Sequence, residues 1–192
     1  MSELIKQIKP VFEEKVSPIV QILNKINVSP NLLTVSGVLF IAIGSYFLYL
    51  GNFIVAGLIL TIGNLCDALD GALARKFGKT SVFGAFLDSV VDRVSDFLPL
   101  IALVLVYREN TLYLITILVA IVGSFMVSYT RARGEGLGIK CTVGVLERAE
   151  RSILLIVFTF LHIPILAVII IALGSVITTF QRIQCVYKNT KN

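Results

Sequence analysis

The stretch of sequence that decides the fold runs from Asp67 to Asp92 and reads D-A-L-D-G-A-L-A-R-K-F-G-K-T-S-V-F-G-A-F-L-D-S-V-V-D. Its four carboxylates belong to Asp67, Asp70, Asp88 and Asp92, and the flanking segments are apolar enough to cross a bilayer. One aspartate near the centre of a membrane helix costs about 3 kcal/mol, and four would cost about 12 kcal/mol, comparable to the stability of an ordinary domain. The carboxylates must therefore face something cationic, and a pair of metal ions is the simplest candidate.

The spacing of the aspartates predicts that they meet. Asp67 and Asp70 are three residues apart and Asp88 and Asp92 four apart, so each pair lies on one face of a helix. The run 78–81 (Gly-Lys-Thr-Ser) interrupts the apolar pattern and predicts a turn. A helical hairpin folded there gathers all four carboxylates at one depth. Ligand sets made only of oxygen suit Mg²⁺ or Mn²⁺.

Composition places the chain among polytopic membrane proteins. The 192 residues are 56% hydrophobic and only 15% charged, and the mean hydropathy is +0.90, outside the range of soluble globular proteins. No linker or repeat divides residues 1–192, so a single domain is expected.

Apolar runs predict an all-α integral membrane protein with six transmembrane helices in the bundle 31–187, at about 32–50, 53–75, 84–106, 112–131, 144–163 and 164–186. The segment 1–28 alternates apolar and basic residues, which predicts an amphipathic interfacial helix. Pro18 and Pro30 are expected to limit its continuity.

The distribution of basic residues predicts the orientation. With the N-terminus in the cytoplasm, only Arg108 of the 17 Lys and Arg residues falls on the outer side, a strong positive-inside signal. This places the chain in the cell membrane with its carboxylates open to the cytoplasm. It also explains the net charge of +5 without a nucleic-acid partner.

Cysteine and histidine chemistry is not expected. Cys66, Cys141 and Cys185 are odd in number and lack metal-ligand spacing, so they predict no disulfide framework. His162 is the only histidine, and it falls in a predicted outer turn.

The whole pattern is D-x2-D-G-x2-A-R-x8-G-x3-D-x3-D, with eight fixed residues over 26 positions. It matches the signature of the CDP-alcohol phosphotransferase family at every position, so the chain resembles these membrane phospholipid synthases. The resemblance implies two divalent ions, Mg²⁺ or Mn²⁺, bound to the diphosphate of a CDP-activated lipid. It implies Asp67, Asp70 and Asp88 as principal ligands, and Asp92 as both an edge ligand and the catalytic general base. It also implies a homodimer.

The resemblance implies a donor pocket as well. In this family a P-N/D-x-x-T stretch lines the pocket, and here it comprises Asn31, Leu32, Leu33 and Thr34. Capping of the first span by Asn31 explains that residue equally well. Ser81, with Thr80 beside it, resembles the nucleotide contact, and Arg75 can pair with the diphosphate. Gly71 lets a cytosine or phosphate approach the backbone closely, although tight helix packing is an alternative.

Basic residues near the cytoplasmic ends of the later spans suggest a phosphorylated acceptor, with Arg131, Arg133, Arg148, Arg151 and Arg182 as the candidate phosphate ligands. Anchoring to lipid headgroups is the alternative. Four segments resemble the phosphatidylinositol-phosphate and archaetidylinositol-phosphate synthase branch, namely 88–96, 128–135, 143–151 and 181–182.

The resulting prediction is an enzyme of phospholipid biosynthesis. It would transfer the lipid phosphoryl group from CDP-diacylglycerol or CDP-archaeol to myo-inositol 1-phosphate and release CMP. The enzymatic alternative is phosphatidylglycerol-phosphate synthase, with glycerol 3-phosphate as acceptor. A distant alternative is a divalent-cation transporter, which would hold its carboxylates at the midplane with access from both sides.

Overall fold

The structure is a computed structural model that describes residues 3–190 and the side chains of residues 10–190. The described chain contains seven helices and no β-strand, which confirms the all-α prediction. The helices are α1 Glu3–Lys25, α2 Pro30–Tyr49, α3 Phe53–Lys76, α4 Val82–Val106, α5 Thr111–Gly136, α6 Arg148–Phe160 and α7 Pro164–Thr190. They form two compact units, one spanning Gln7–Ala102 and the other made mainly of the chain after Leu103.

Four helices are long and apolar enough to cross a membrane, namely α2, α3, α5 and α7. Large apolar side chains on these helices are exposed, for example Leu39, Leu58, Val122 and Leu173. An exterior of this kind is stable against lipid but not against water. The protein is therefore a membrane protein.

The predicted fifth span is wrong in its first four and its last three residues. Residues 144–163 were expected to be helical, but α6 has only 13 residues and begins at Arg148. It is about 20 Å long, against about 30 Å of hydrocarbon. The helix starts here because Glu147 and Glu150 form a capping box, in which Glu150 Oε2 accepts a hydrogen bond of 3.1 Å from the backbone N–H of Glu147.

The non-helical segment before α6 is bonded to α7. The backbone N–H of Leu146 donates to Thr178 Oγ1 at 3.0 Å, and the carbonyl of Val143 accepts from Arg182 Nε at 2.9 Å. A disulfide joins Cys141 to Cys185, 44 residues further along the chain. The expectation that the cysteines form no disulfide is thus wrong, since their sequence separation hides the proximity that folding creates.

Helix α1 is continuous from Glu3 to Lys25, although Pro10 and Pro18 lie inside it. The expectation that Pro18 limits its continuity is therefore wrong. Val16 and Val20 are buried against Ala72 and Leu73 of α3. Each such burial stabilises the docked helix by about 1.5–3 kcal/mol, which offsets part of the cost of about 3 kcal/mol for each interior proline.

Helices α2 and α3 pack closely because glycines meet at their interface. A Cβ atom at Gly63 would lie 2.8 Å from side-chain atoms of Ile41 and 2.9 Å from the carbonyl oxygen of Gly37. Small residues of this kind let membrane helices approach closely. The contact brings the start of α2 beside the C-terminal half of α3, where Asp67 and Asp70 lie.

The start of α2 differs from the expectation. Ser29, rather than Asn31, caps the helix, and its Oγ accepts a hydrogen bond of 3.2 Å from the backbone N–H of Leu32. Pro30 occupies the first turn, where its missing N–H costs nothing. Asn31 therefore does not cap α2, and its side chain is available for a contact in the pocket that it lines.

Substitution of Gly63 by alanine tests the α2–α3 contact. Because the added Cβ meets the backbone of Gly37, we expect a loss of about 1–3 kcal/mol and a thermal midpoint in detergent lowered by about 3–10 °C. Gly136→Ala is the matched control, since nothing lies within 4 Å of its Cβ position. Equal midpoints for the two variants would contradict the packing described here.

Candidate functional site

A short loop joins the two helices that carry the aspartates. Helix α3 ends at Lys76 and α4 begins at Val82, and Gly78 between them has a φ of 64°, a conformation that glycine adopts without strain. The backbone N–H of Lys79 donates to the carbonyl of Ala74 at 2.9 Å. The turn therefore lies where the sequence predicted it.

Three of the four aspartates converge. Asp67, Asp70 and Asp88 each offer a carboxylate oxygen, and these oxygens lie within 4.8 Å of one another. Asp70 is 5% exposed, and the other two are half-buried. Three carboxylates this close repel one another strongly unless a cation neutralises them. Their donor set, oxygen only, fits Mg²⁺ or Mn²⁺.

Thr34 reaches this cluster from α2. Its hydroxyl is buried and donates a hydrogen bond to Asp70 Oδ2. A second residue that bonds a metal-binding carboxylate fixes the orientation of that ligand. Thr34, which the sequence assigned to the donor pocket, therefore also holds the carboxylate of Asp70 in place.

Asp92 lies outside the group of three. It follows Asp88 by one turn of α4, and its Oδ2 is 3.6 Å from Arg93 Nη1. Its side chain is 16% exposed, and its Oδ1 atom is buried. Its roles as a metal ligand and as a general base stay predictions.

A pocket opens beside the carboxylates. Among its lining residues are five of the seven predicted donor-binding residues, namely Asn31, Thr34, Gly71, Arg75 and Ser81, together with Asp70 and Asp88. Lys79 and Thr80 of the loop also line it. The sequence analysis interpreted Lys79 only as part of the turn. A basic residue between the two aspartate pairs could also have indicated a contact with an anionic ligand.

The other two predicted donor residues lie elsewhere. Leu32 is 56% exposed on the surface of α2, and Leu33 packs against the cluster formed by α1 and α3. Consecutive residues of a helix are about 100° apart, whereas positions i and i+3 share a face. Of this run, Asn31 and Thr34 line the pocket, and a donor-binding role for Leu32 and Leu33 stays a prediction.

The two motif glycines make room for side chains that line the pocket. A Cβ at Gly84 would lie 2.9 Å from Ser81 Oγ and 3.2 Å from Asn31 Oδ1. A Cβ at Gly71 would lie 2.9 Å from Arg75 Nη1. The space at Gly71 therefore holds the guanidinium group of Arg75, which folds back along its own helix.

Arg75 has a partner that the sequence did not reveal. Its Nη2 donates to Glu13 Oε1 of α1 at 2.7 Å. Glu13 is 62 residues away in the chain, so no local pattern could have signalled this pair. Both side chains remain partly exposed, at 49% and 38%.

The predicted acceptor arginines belong to the second unit and differ in exposure. Arg151 and Arg182 are 3% and 2% exposed, Arg148 is half-buried, and Arg131 and Arg133 are exposed. Arg131 and Arg151 are close enough to Arg182 to act on it electrostatically. Arg133, two residues after Arg131 on α5, lines a pocket together with Arg182 of α7.

The guanidinium group of Arg182 is held by protein atoms. Nε donates to the carbonyl of Val143 at 2.9 Å, and Nη1 donates to the carbonyl of Val127 at 2.6 Å. Nη2 lies 3.3 Å from Glu147 Oε1. Arg182 thus links its own helix, α7, to α5 and to the segment that precedes α6. The sequence did not indicate this structural role.

Comparison with known proteins agrees with this geometry. The sequence profile of the CDP-alcohol phosphatidyltransferase family matches residues 27–180. The archaetidylinositol phosphate synthase of Pyrococcus horikoshii is 38% identical over 183 residues, which are 94% of this chain and 95% of the relative.

Solved structures agree as well. The crystal structure of Mycobacterium tuberculosis phosphatidylinositol phosphate synthase with CDP-DAG bound superposes with a TM-score of 0.80 and 29% identity, covering 90% of this chain and 93% of that one. The same enzyme in complex with manganese and citrate gives a TM-score of 0.79 and 30% identity, covering 88% of each chain. Since the family profile spans the carboxylate hairpin and most of the remaining helices, the chain belongs to the CDP-alcohol phosphatidyltransferase family.

Proposed function

We propose that this protein transfers the phosphatidyl or archaetidyl group of CDP-diacylglycerol or CDP-archaeol to a hydroxyl of myo-inositol 1-phosphate and releases CMP. The observation that carries the proposal is the convergence of Asp67, Asp70 and Asp88 beside a pocket lined by Arg75. The names of the relatives, archaetidylinositol phosphate synthase and phosphatidylinositol phosphate synthase, support inositol phosphate as the acceptor.

In the proposed reaction the carboxylates of Asp67, Asp70 and Asp88, together with that of Asp92, would hold two divalent cations, Mg²⁺ or Mn²⁺. The cations would neutralise the diphosphate and the charge that develops on CMP as it leaves. Thr34 keeps the carboxylate of Asp70 oriented.

The other residues bind the donor and move one proton. Arg75 pairs with the diphosphate, and Asn31, Gly71 and Ser81 line the nucleotide side of the pocket. Asp92 accepts the proton of the acceptor hydroxyl. The acceptor oxygen then bonds to the lipid-side phosphorus, and the bond from that phosphorus to the CMP oxygen breaks.

In the proposed membrane arrangement all six helices α2–α7 form the bundle, and the carboxylates face the cytoplasm of the cell membrane. The bonds of Val143 and Leu146 to α7 support it, since non-helical backbone is tolerated at membrane depth where protein groups satisfy it. Helix α1 exposes Val11, Ile19 and Ile22 along one side, which suits a helix at the interface. A homodimer is part of the proposal.

A matrix of donors and acceptors tests the function directly. The purified protein in lipid vesicles is supplied with CDP-diacylglycerol or CDP-archaeol, and CMP release is measured with inositol 1-phosphate, glycerol 3-phosphate or no acceptor. We expect rapid release only with inositol 1-phosphate. Faster release with glycerol 3-phosphate would transfer the assignment to phosphatidylglycerol-phosphate synthase, and no release with any pair would refute the transferase function.

Removal of any clustered carboxylate should abolish transfer. We expect Asp67→Ala, Asp70→Ala and Asp88→Ala to lose CMP release and to bind Mn²⁺ weakly in calorimetry, because each removes one of the three converging carboxylates. A chelator should abolish wild-type activity, and Mg²⁺ or Mn²⁺ should restore it. Glu109→Gln, which alters an exposed carboxylate, is the control. Near-wild-type turnover of any aspartate variant at saturating metal would contradict the site.

Asp92→Asn should separate chemistry from binding. The amide keeps the shape of the side chain but cannot accept the acceptor proton, so we expect kcat to fall by about 10²–10⁴-fold while the donor KM changes modestly. Initial rates over a range of donor concentrations measure both quantities. A large rise in donor KM with an unchanged kcat would show that Asp92 serves only as a ligand.

Arg151→Ala should weaken acceptor binding. A charge-assisted hydrogen bond to phosphate contributes about 1.5–3 kcal/mol, so the acceptor KM should rise about tenfold or more with little change in donor KM. Arg151→Lys should recover part of the loss, since lysine lacks the planar fork. Lys140→Ala, at an exposed position, is the control.

Arg182→Ala should raise the acceptor KM as well, but it also removes bonds to Val127 and Val143 and should lower the thermal midpoint. An acceptor KM that stays at the wild-type value in both variants would identify these arginines as structural or headgroup-anchoring groups.

A further inference from the structure

An ion pair ties α1 to the donor pocket. Glu13 Oε1 accepts a hydrogen bond of 2.7 Å from Arg75 Nη2, while Nη1 of the same guanidinium lies over Gly71. Both Gly71 and Arg75 line the pocket beside Asp70. Glu13 therefore binds Nη2 of the guanidinium group and leaves Nη1 beside the pocket.

Helix packing holds Glu13 in this position. One side of α1 is buried against α3 through Val16 and Val20. Lys76, the residue after Arg75, donates a separate hydrogen bond to Ser17 Oγ, one turn beyond Glu13. The polar side of α1 is thus hydrogen-bonded to Arg75 and Lys76, the two basic residues at the end of α3.

We infer that Glu13 is a positioning residue for the donor, because its carboxylate holds the guanidinium of Arg75 over Gly71, ready to receive the diphosphate of the CDP-lipid. The inference rests on the proposed function. An arginine side chain loses considerable rotamer freedom when it binds a ligand, and a side chain already held in place loses less. A planar guanidinium offers five donors, so one carboxylate and one phosphate can be bound together.

The pair is better suited to positioning than to stabilising the fold. Both partners are partly exposed, and exposed ion pairs contribute little to stability. Apolar burial already docks α1 on α3. Removal of the Glu13 charge should therefore leave the fold intact and free the Arg75 side chain.

Steady-state kinetics of the full chain in vesicles test the inference. We expect Glu13→Gln to raise the KM for CDP-diacylglycerol about three- to tenfold, the factor for one side chain that is no longer held in place. The acceptor KM and the thermal midpoint should stay at wild-type values. Glu13→Asp, which keeps the charge, should recover part of the donor affinity. In an Arg75→Gln background, Glu13→Gln should have no further effect.

Two variants serve as controls. Glu14→Gln removes the neighbouring exposed carboxylate and should change nothing. Ser17→Ala removes the other polar bond between α1 and α3 while it leaves the ion pair intact, so it should leave donor KM unchanged.

Three outcomes would overturn the inference. An unchanged donor KM for Glu13→Gln would show that the pair does not position Arg75, and a lower donor KM would show that Glu13 competes with the diphosphate. A rise as large for Ser17→Ala would assign the effect to helix docking. Failure of the proposed function is recognised separately, by a wild-type protein that releases no CMP or by Arg75→Gln that leaves donor KM unchanged.

Discussion

Mutual repulsion among Asp67, Asp70 and Asp88 is the constraint on which the first unit depends. Their carboxylate oxygens lie within 4.8 Å of one another, in helices whose other residues are mostly apolar. Such a cluster persists only when hydrogen-bond donors and cations offset the charge. The hydroxyl of Thr34 supplies one donor, and divalent cations would supply the positive charge. The hairpin turn and the entry of α2 make these groups converge.

Glycine determines how closely the supporting elements approach. The contact of Gly63 with Gly37 and Ile41 lets α2 lie against α3, which brings Thr34 to Asp70. In the motif itself, Gly71 leaves space for a guanidinium rather than for a neighbouring helix. Glycine thus allows close helix packing in the middle of α3, at Gly63, and leaves space in the pocket near the end of α3, at Gly71.

The second unit contains a non-helical segment that side chains of α7 hold in place. The segment before α6 is not helical, and its backbone is bonded by Thr178 and Arg182 of α7. Burial of the Arg182 guanidinium is tolerable because it donates to two carbonyls and lies beside Glu147. The guanidinium group of Arg182 is thereby partly occupied by protein partners, whereas Arg131 on α5 is exposed.

The sequence by itself determined the helical class, the hairpin turn near Lys79 and the family, because apolar periodicity, glycine and the spacing of carboxylates act over a few residues. Helical periodicity also carried the information that Asn31 and Thr34, but not Leu32 and Leu33, can share a face. The Glu147–Glu150 capping box can also be recognised in the sequence, but it lies inside an apolar run that predicts a longer helix.

Only the tertiary structure decided that Glu13 grips Arg75, that Cys141 meets Cys185 and that Arg182 is buried. These contacts join residues from 35 to 62 positions apart. Their formation depends on which helix faces pack together, and no local pattern in the sequence specifies that.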